Sequence, residues 1–330
     1  MRQPTLLAVV LVLAACCPLS AQQPAGLPGE PYKADDFAAI RVTDTWQAYA
    51  DRLTWGKGQC LAILDDGCKL SEPQWQTSLP WGKKVVATWD SIEGDADPSP
   101  GPRGYHGTTV GYPSSLNYNG TLGVAFNNQV AHVRSVSVVH LRQDESKTIA
   151  AALEWVIENR EKYGITTVNL ASLDDQRHQD SPETAIDAPL KKLRELGVWV
   201  SAPCGNHNYT DGISWPACAA DCIAIGATVP GKHRAYLDRF ANTDLLVAAL
   251  ATSSSNAYAC GCSMILREAI EQAKFDWQSE GRTLPEAMLA IFQKTGREVP
   301  DETSGQTYRE LDLLAAVNWV FDRAARQADR

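Results

Sequence analysis

Short aliphatic runs alternate with helix-period segments through most of this chain, and that alternation narrows the fold more than any count of residues. Cys60–Leu64 reads as a buried strand turned by Asp65, Asp66 and Gly67. Val85–Trp89 reads as a second strand, followed by a loop from Ser91 to Gly104 rich in Pro, Gly and Asp, and Val130–Val139 as a third. Lys147–Tyr163 puts Ile149, Leu153, Val156 and Ile157 on one helical stripe, stops at Gly164 and runs directly into Ile165–Ala171. Leu190–Leu196, Gly197 and Val198–Ala202 repeat that pattern. A strand over Cys222–Val229 and helices over Met264–Gln278, Pro285–Lys294 and Leu311–Ala325 complete the series. Strand, helix and strand in this order give an α/β fold with a mainly parallel sheet. With no internal repeat and no second composition regime, one domain is expected over residues 35–330.

Charge and the N-terminus bound the partners and the compartment. The 330 residues carry 30 Lys plus Arg against 39 Asp plus Glu, a net charge of −9, with no basic run, which argues against nucleic acid as a partner. Arg2 precedes an apolar stretch from Leu6 to Ala15 that is too short to span a bilayer and has the length of a signal-peptide core, so residues 1–21 read as an export signal. Two cleavage readings stay open. Leu13, Ala14, Ala15 and Cys16 resemble a lipoprotein signal that would lipidate Cys16 and attach the chain to a membrane; Leu19, Ser20 and Ala21 form an ordinary cleavage site. Residues 22–34, rich in Pro, Gly and Gln, read as a flexible tether. The location expected is secreted, periplasmic or membrane-anchored, and nine Cys in an exported chain point to disulfides.

Four segments place a reactive side chain at a strand end or a helix start, where an α/β sheet gathers its ligands. LAILDDG delivers Asp65 at the end of an aliphatic strand; HGTTVG opens a helix with His106; APCGN ends a strand at Asn206, whose amide can donate; GCSM puts Ser263 before a helix. Each alone is a common turn or cap. Together, in this order, they supply an orienting carboxylate, a base, an oxyanion donor and a nucleophile for acyl transfer.

In these four motifs the chain resembles the subtilisin-like serine peptidases, or subtilases. Asp65 matches the family's catalytic Asp segment, His106 its HGTxVAG motif, Asn206 its oxyanion Asn and Ser263 its GTSMA motif. The weaker echoes GVAFNNQVAHVRSV, TVNLASL, CIAIGATV and DLLVAAL extend the resemblance from about Cys60 to Val317. The resemblance implies a three-layer subtilisin-like fold with helices flanking the sheet, and a serine endopeptidase acting on polypeptides through Asp65, His106 and Ser263, with Asn206 as oxyanion donor. The alternative is an inactive subtilase-fold binding or scaffold module. The family's usual Pro and small residues after the nucleophile are replaced by Ile265, Leu266, Arg267 and Glu268, so Arg267 and Glu268 must be exposed or satisfied. Many exported subtilases carry a folding pro-domain; none is evident between the tether and Asp65.

The remaining expectations are local. Asp66 and His207 border the substrate, the first through its carboxylate and the second as the neighbour of Asn206. Cys204 and Cys262, flanking the oxyanion and nucleophile motifs, are expected to approach each other. The Cys spacings repeat no zinc-binding pattern, the other His residues read as core or surface positions, and no metal, no other cofactor and a monomer are expected.

Overall fold

The structure is a computed structural model and describes residues 26–328. The expected signal, with Cys16, lies outside the described residues. A ten-stranded sheet forms the middle layer. Its main strands are β1 (Cys60–Asp65), β2 (Val85–Asp90), β3 (Gln129–Arg134), β4 (Ile165–Leu170), β5 (Trp199–Pro203), β6 (Ile223–Thr228), β7 (Leu245–Ala248), β8 (Arg297–Asp301) and β9 (Gln306–Glu310). Their order across the sheet is β8-β9-β7-β6-β5-β4-β1-β3-β2. Neighbours run parallel except β8 against β9, and the short strand Ala235–Tyr236 joins β6 antiparallel. The helices are α1 (Ala34–Ala39), α2 (Val42–Ala48), α3 (His106–Thr109), α4 (Tyr112–Ser115), α5 (Ser146–Tyr163), α6 (Asp187–Glu195), α7 (Thr252–Ala273), α8 (Leu284–Thr295) and α9 (Leu313–Ala328).

Strand side chains alternate between two cores, as the pleat requires. Leu61 and Ile63 of β1 join the core built from α7, α8, α9 and Trp46 of α2, whereas Cys60, Ala62 and Leu64 join the core under α5 and α6. These two cores make the molecule a three-layer α/β sandwich, as the sequence implies. Asp65 continues the odd-numbered series of β1, so it belongs to the α7 face.

Three expectations change. Glu30–Pro31 pairs in parallel with Thr121–Leu122 and α1 begins at Ala34, so the reading of residues 22–34 as free tether does not hold over its last part. The helix expected from Met264 begins at Thr252, three turns earlier. The seven described cysteines are buried free thiols, Cys204 and Cys262 among them. Cys204 packs at the carboxyl edge with its Sγ 3.7 Å from Thr243 Oγ1, while Cys262 lies within α7, so the expected bridge is absent.

Candidate active site

Asp65 ends β1, and its carboxylate serves two partners. Oδ1 accepts from the Asp66 N–H at 2.7 Å, and Oδ2 lies 2.6 Å from Nδ1 of His106. His106 is the first residue of α3. The helix starts so close to the β1 turn that a Cβ on Gly107 would lie 2.4 Å from the Gly67 carbonyl oxygen and 2.8 Å from Asp65 Cβ; only glycine fits there. Burial alone lowers the basicity of the imidazole. The charge and hydrogen bond of Asp65, with the charge of Asp66, more than offset it, and the His106 pKa lies above the ordinary histidine value. Among the described residues no partner lies on Nε2, the nitrogen left for proton transfer.

Asn206 follows β5 at the same edge of the sheet. Its Oδ1 accepts from the N–H and the hydroxyl of Thr252, both at 3.0 Å, and Thr252 Oγ1 accepts from Gly205 N–H at 3.2 Å. With the oxygen engaged, the Nδ2 amide of Asn206 has no protein acceptor among the described residues. Thr252 opens α7 and Ser253 follows it. The free N–H groups of that first helical turn therefore lie beside the Asn206 amide.

Helix α7 then descends along the sheet against the strand direction. Asn256 Nδ2 donates to Asn169 Oδ1 and to the Ser201 carbonyl, Cys260 Sγ reaches the Val168 carbonyl, and Gln59 Nε2 donates to the Met264 carbonyl. Ser263 is far down this course. It is fully buried, donates to the Cys260 carbonyl at 2.8 Å and lies 3.5 Å from Thr167 Oγ1. Thr167 pairs with Leu61, four residues before Asp65, which puts Ser263 about 13 Å of strand away from the Asp65 carboxylate level. Ser263 is not brought to His106. Ser253, ten residues earlier and about 15 Å up the helix, is at the right edge.

A second marker agrees. A Cβ on Gly261 would lie 2.6 Å from Val124 Cβ and 3.2 Å from Ser114 Cα, so α7 crosses α4 there in close contact. Ser114 is eight residues along from His106, and Gly261 is eight residues along from Ser253. Both helical segments thus rise from one crossing, over equal lengths of chain, to the carboxyl edge where β1 and β5 end.

The other expected residues divide. Asp66 is 1% exposed, and its carboxylate accepts from the backbone N–H groups of Tyr105, His106 and Gly107 at 3.2, 3.3 and 2.9 Å. Buried and engaged in this way, it does not border a substrate, contrary to the sequence expectation. His207 is exposed beside Asn206, its ring stacked on Tyr209 and its Nδ1 3.8 Å from Asp238 Oδ2. Arg267 pairs with Glu271 and donates to the Gly197 carbonyl. Glu268, nearly buried, accepts from Thr54 and Gly56, so each charge in the interior of α7 is satisfied separately.

A parallel sheet with an Asp–His pair at its carboxyl edge and an amide-flanked helix start opposite is the plan of a subtilisin-like α/β hydrolase. A solved cold-adapted subtilisin-like serine proteinase superimposes with a TM-score of 0.59 at 19% identity, covering 78% of this chain and 90% of that one. The model of the subtilase family matches residues 56–286, and the chain belongs to that family. An intracellular serine protease of Paenibacillus polymyxa is 25% identical over 82% of this chain and 84% of its own length. Subtilisin Savinase of Lederbergia lenta is 30% identical over 56% of this chain and 61% of its own. An alkaline protease of Alkalihalobacillus alcalophilus is 31% identical over 56% of this chain, which spans 43% of that protein.

The serine that stands at this edge carries a faint signal in the sequence. Ala251-Thr252-Ser253 carries the Thr-Ser of the family's nucleophile motif directly after β7. Ser254, Ser255 and Asn256 then stand in place of Met, Ala and a small residue, while Gly261-Cys262-Ser263-Met264 preserves the motif's other letters in the wrong place.

Proposed function

We propose that the chain is a serine endopeptidase in which Ser253, not Ser263, is the nucleophile. The observation that carries this reading is the position of Ser253 at the start of α7, beside Asn206 and at the edge of the sheet that holds the Asp65–His106 pair. Ser253 Oγ attacks the peptide carbonyl as its proton passes to His106 Nε2. Asp65 holds Nδ1–H and stabilises the imidazolium. The Asn206 amide and the Ser253 N–H donate to the tetrahedral oxyanion. Collapse breaks the C–N bond, the amine leaves with the proton from His106, and water repeats the sequence on the acyl-enzyme. Exposed His207, next to Asn206, borders the bound peptide.

The substrates are polypeptides, and the proposed setting is outside the cytoplasm, on the strength of the Leu6–Ala15 run. Among the described residues no helix is long and apolar enough to cross a membrane, and lipidation of Cys16 is one proposed means of membrane attachment.

A fluorophosphonate probe, which reacts only with an activated serine, tests the assignment when the labelled peptide is sequenced by mass spectrometry. The adduct is expected on Ser253. An adduct on Ser263 would overturn the assignment, and absence of any adduct on folded protein would leave a non-catalytic subtilase-fold binding module.

A further inference from the structure

We propose that Asp66 is a positioning residue for His106, gripping the backbone of the turn that carries the imidazole and setting a second negative charge beside it. This rests on the reading of His106 as the base. Helix α3 has four residues, too few to hold its own geometry, and its first N–H groups have no intrahelical acceptor. Its N-cap, Tyr105, makes no side-chain cap bond. Asp66 supplies that cap from about forty residues earlier in the chain, accepting the Tyr105, His106 and Gly107 N–H groups on its two carboxylate oxygens.

The contacts close a ring. Asp65 Oδ2 holds the His106 imidazole, the His106 backbone is held by Asp66, and the Asp66 backbone donates to Asp65 Oδ1. Asp65 restrains the ring and Asp66 restrains the backbone that carries it, so a shift of the whole turn breaks contacts to two buried carboxylates. Such a pair of adjacent carboxylates is costly to bury, and its self-repulsion is relieved when a cation forms beside them. The cation that proton transfer creates here is the His106 imidazolium.

The charged and titratable groups near Asp66 are Asp65 and the buried thiol of Cys68 from its own turn, and Tyr105 and His106 at the start of α3; the Pro98–Gly104 loop packs on that turn through Pro98, Pro100 and Gly104, and its Arg103 is exposed. Burial and the Asp65 charge raise the Asp66 pKa, while the Gly107 and His106 N–H donors and the His106 charge act to lower it. Removing the Asp66 charge therefore leaves His106 with one carboxylate and lowers its pKa.

The test follows the His106 ring resonances by NMR across pH in the full chain, assigned by their loss in His106→Gln, with the pH profile of kcat/KM measured alongside. Asp66→Asn keeps a side-chain oxygen for the turn but removes the charge; Asp66→Ser is the second variant should the first not fold. The His106 titration is expected to move down by about half a pH unit or more, carrying the acid limb of kcat/KM with it. The kcat should fall about tenfold while KM changes little. A purely structural cap would lower stability and leave the titration where it was, and an unmoved titration in a folded variant overturns the proposal. The NMR reading needs no working nucleophile, so it stands or falls separately from the Ser253 assignment.

Discussion

Asn206 commits its side-chain oxygen to Thr252, and this fixes which way its amide faces. The residue is built as a donor. In the proposed mechanism its Nδ2 acts only when charge develops on the carbonyl oxygen, so Asn206→Ala is expected to cut kcat by about a hundredfold or more with KM nearly unchanged, as measured on a peptide substrate. An equal loss shared between KM and kcat would assign Asn206 to substrate binding. At this scale the placement of Asp65, His106 and Asn206 at one edge of the sheet was legible in the sequence because each sits within two residues of a glycine and at the end of an aliphatic run or the start of a helix. Asp66 was misread because its hydrogen bonds go to a turn about forty residues away, and nothing local in a sequence reports such a contact. Ser253, the nucleophile proposed here, does not stand out in the sequence because its neighbours Ser254, Ser255 and Asn256 carry none of the family's letters.

The helix start explains this physically. Thr252–Cys262 consists mostly of Ser, Thr, Asn, Gly and Cys, which have modest or poor helix propensity, and the helical stripe becomes visible only from Met264 onward. Tertiary contacts settle it instead, through Ser255, Asn256 and Cys260 bonding to the sheet and Gly261 admitting α4. The strongly periodic helices over Lys147–Tyr163 and Pro285–Lys294 lie within a residue of the expected bounds, because burial pattern and stop signals coincide there. The β8–β9 hairpin went unread, its strands being short, charged and at the sheet edge. Another element-scale device is Lys84, at the mouth of β2. Its ammonium is buried, with burial drawing its pKa down, and its three donors meet the Phe126 carbonyl, the Asn128 carbonyl and Asn128 Oδ1 at 3.0, 2.7 and 2.9 Å. The Lys84 carbonyl accepts from Val130 N–H, so the side chain ties the entry of β3 to the entry of β2. Lys84→Met leaves those acceptors buried without donors and is expected to cost about 3 kcal/mol in urea unfolding. A midpoint unchanged from wild type would show that the cage is not a stabilising feature.

Across the whole molecule the two cores lie on opposite faces of one sheet, and the reactive groups collect at one edge of it. That edge is where β1 and β5 end and where α3 and α7 begin. The parallel sheet with covering helices was legible because strand–helix alternation admits few other layouts, and the resemblance to the family supplied the three-layer form. Which serine reaches the edge was not legible, because it depends on where a long helix starts against the sheet. The central claim is that this edge hydrolyses peptide bonds through Ser253, and the direct measurement is the rate of casein hydrolysis by the purified full chain and its two serine variants. Ser253→Ala is expected to lose activity by about ten thousandfold or more, with Ser263→Ala within a fewfold of wild type. Retained activity in Ser253→Ala, or its loss only in a folded Ser263→Ala, would contradict the account.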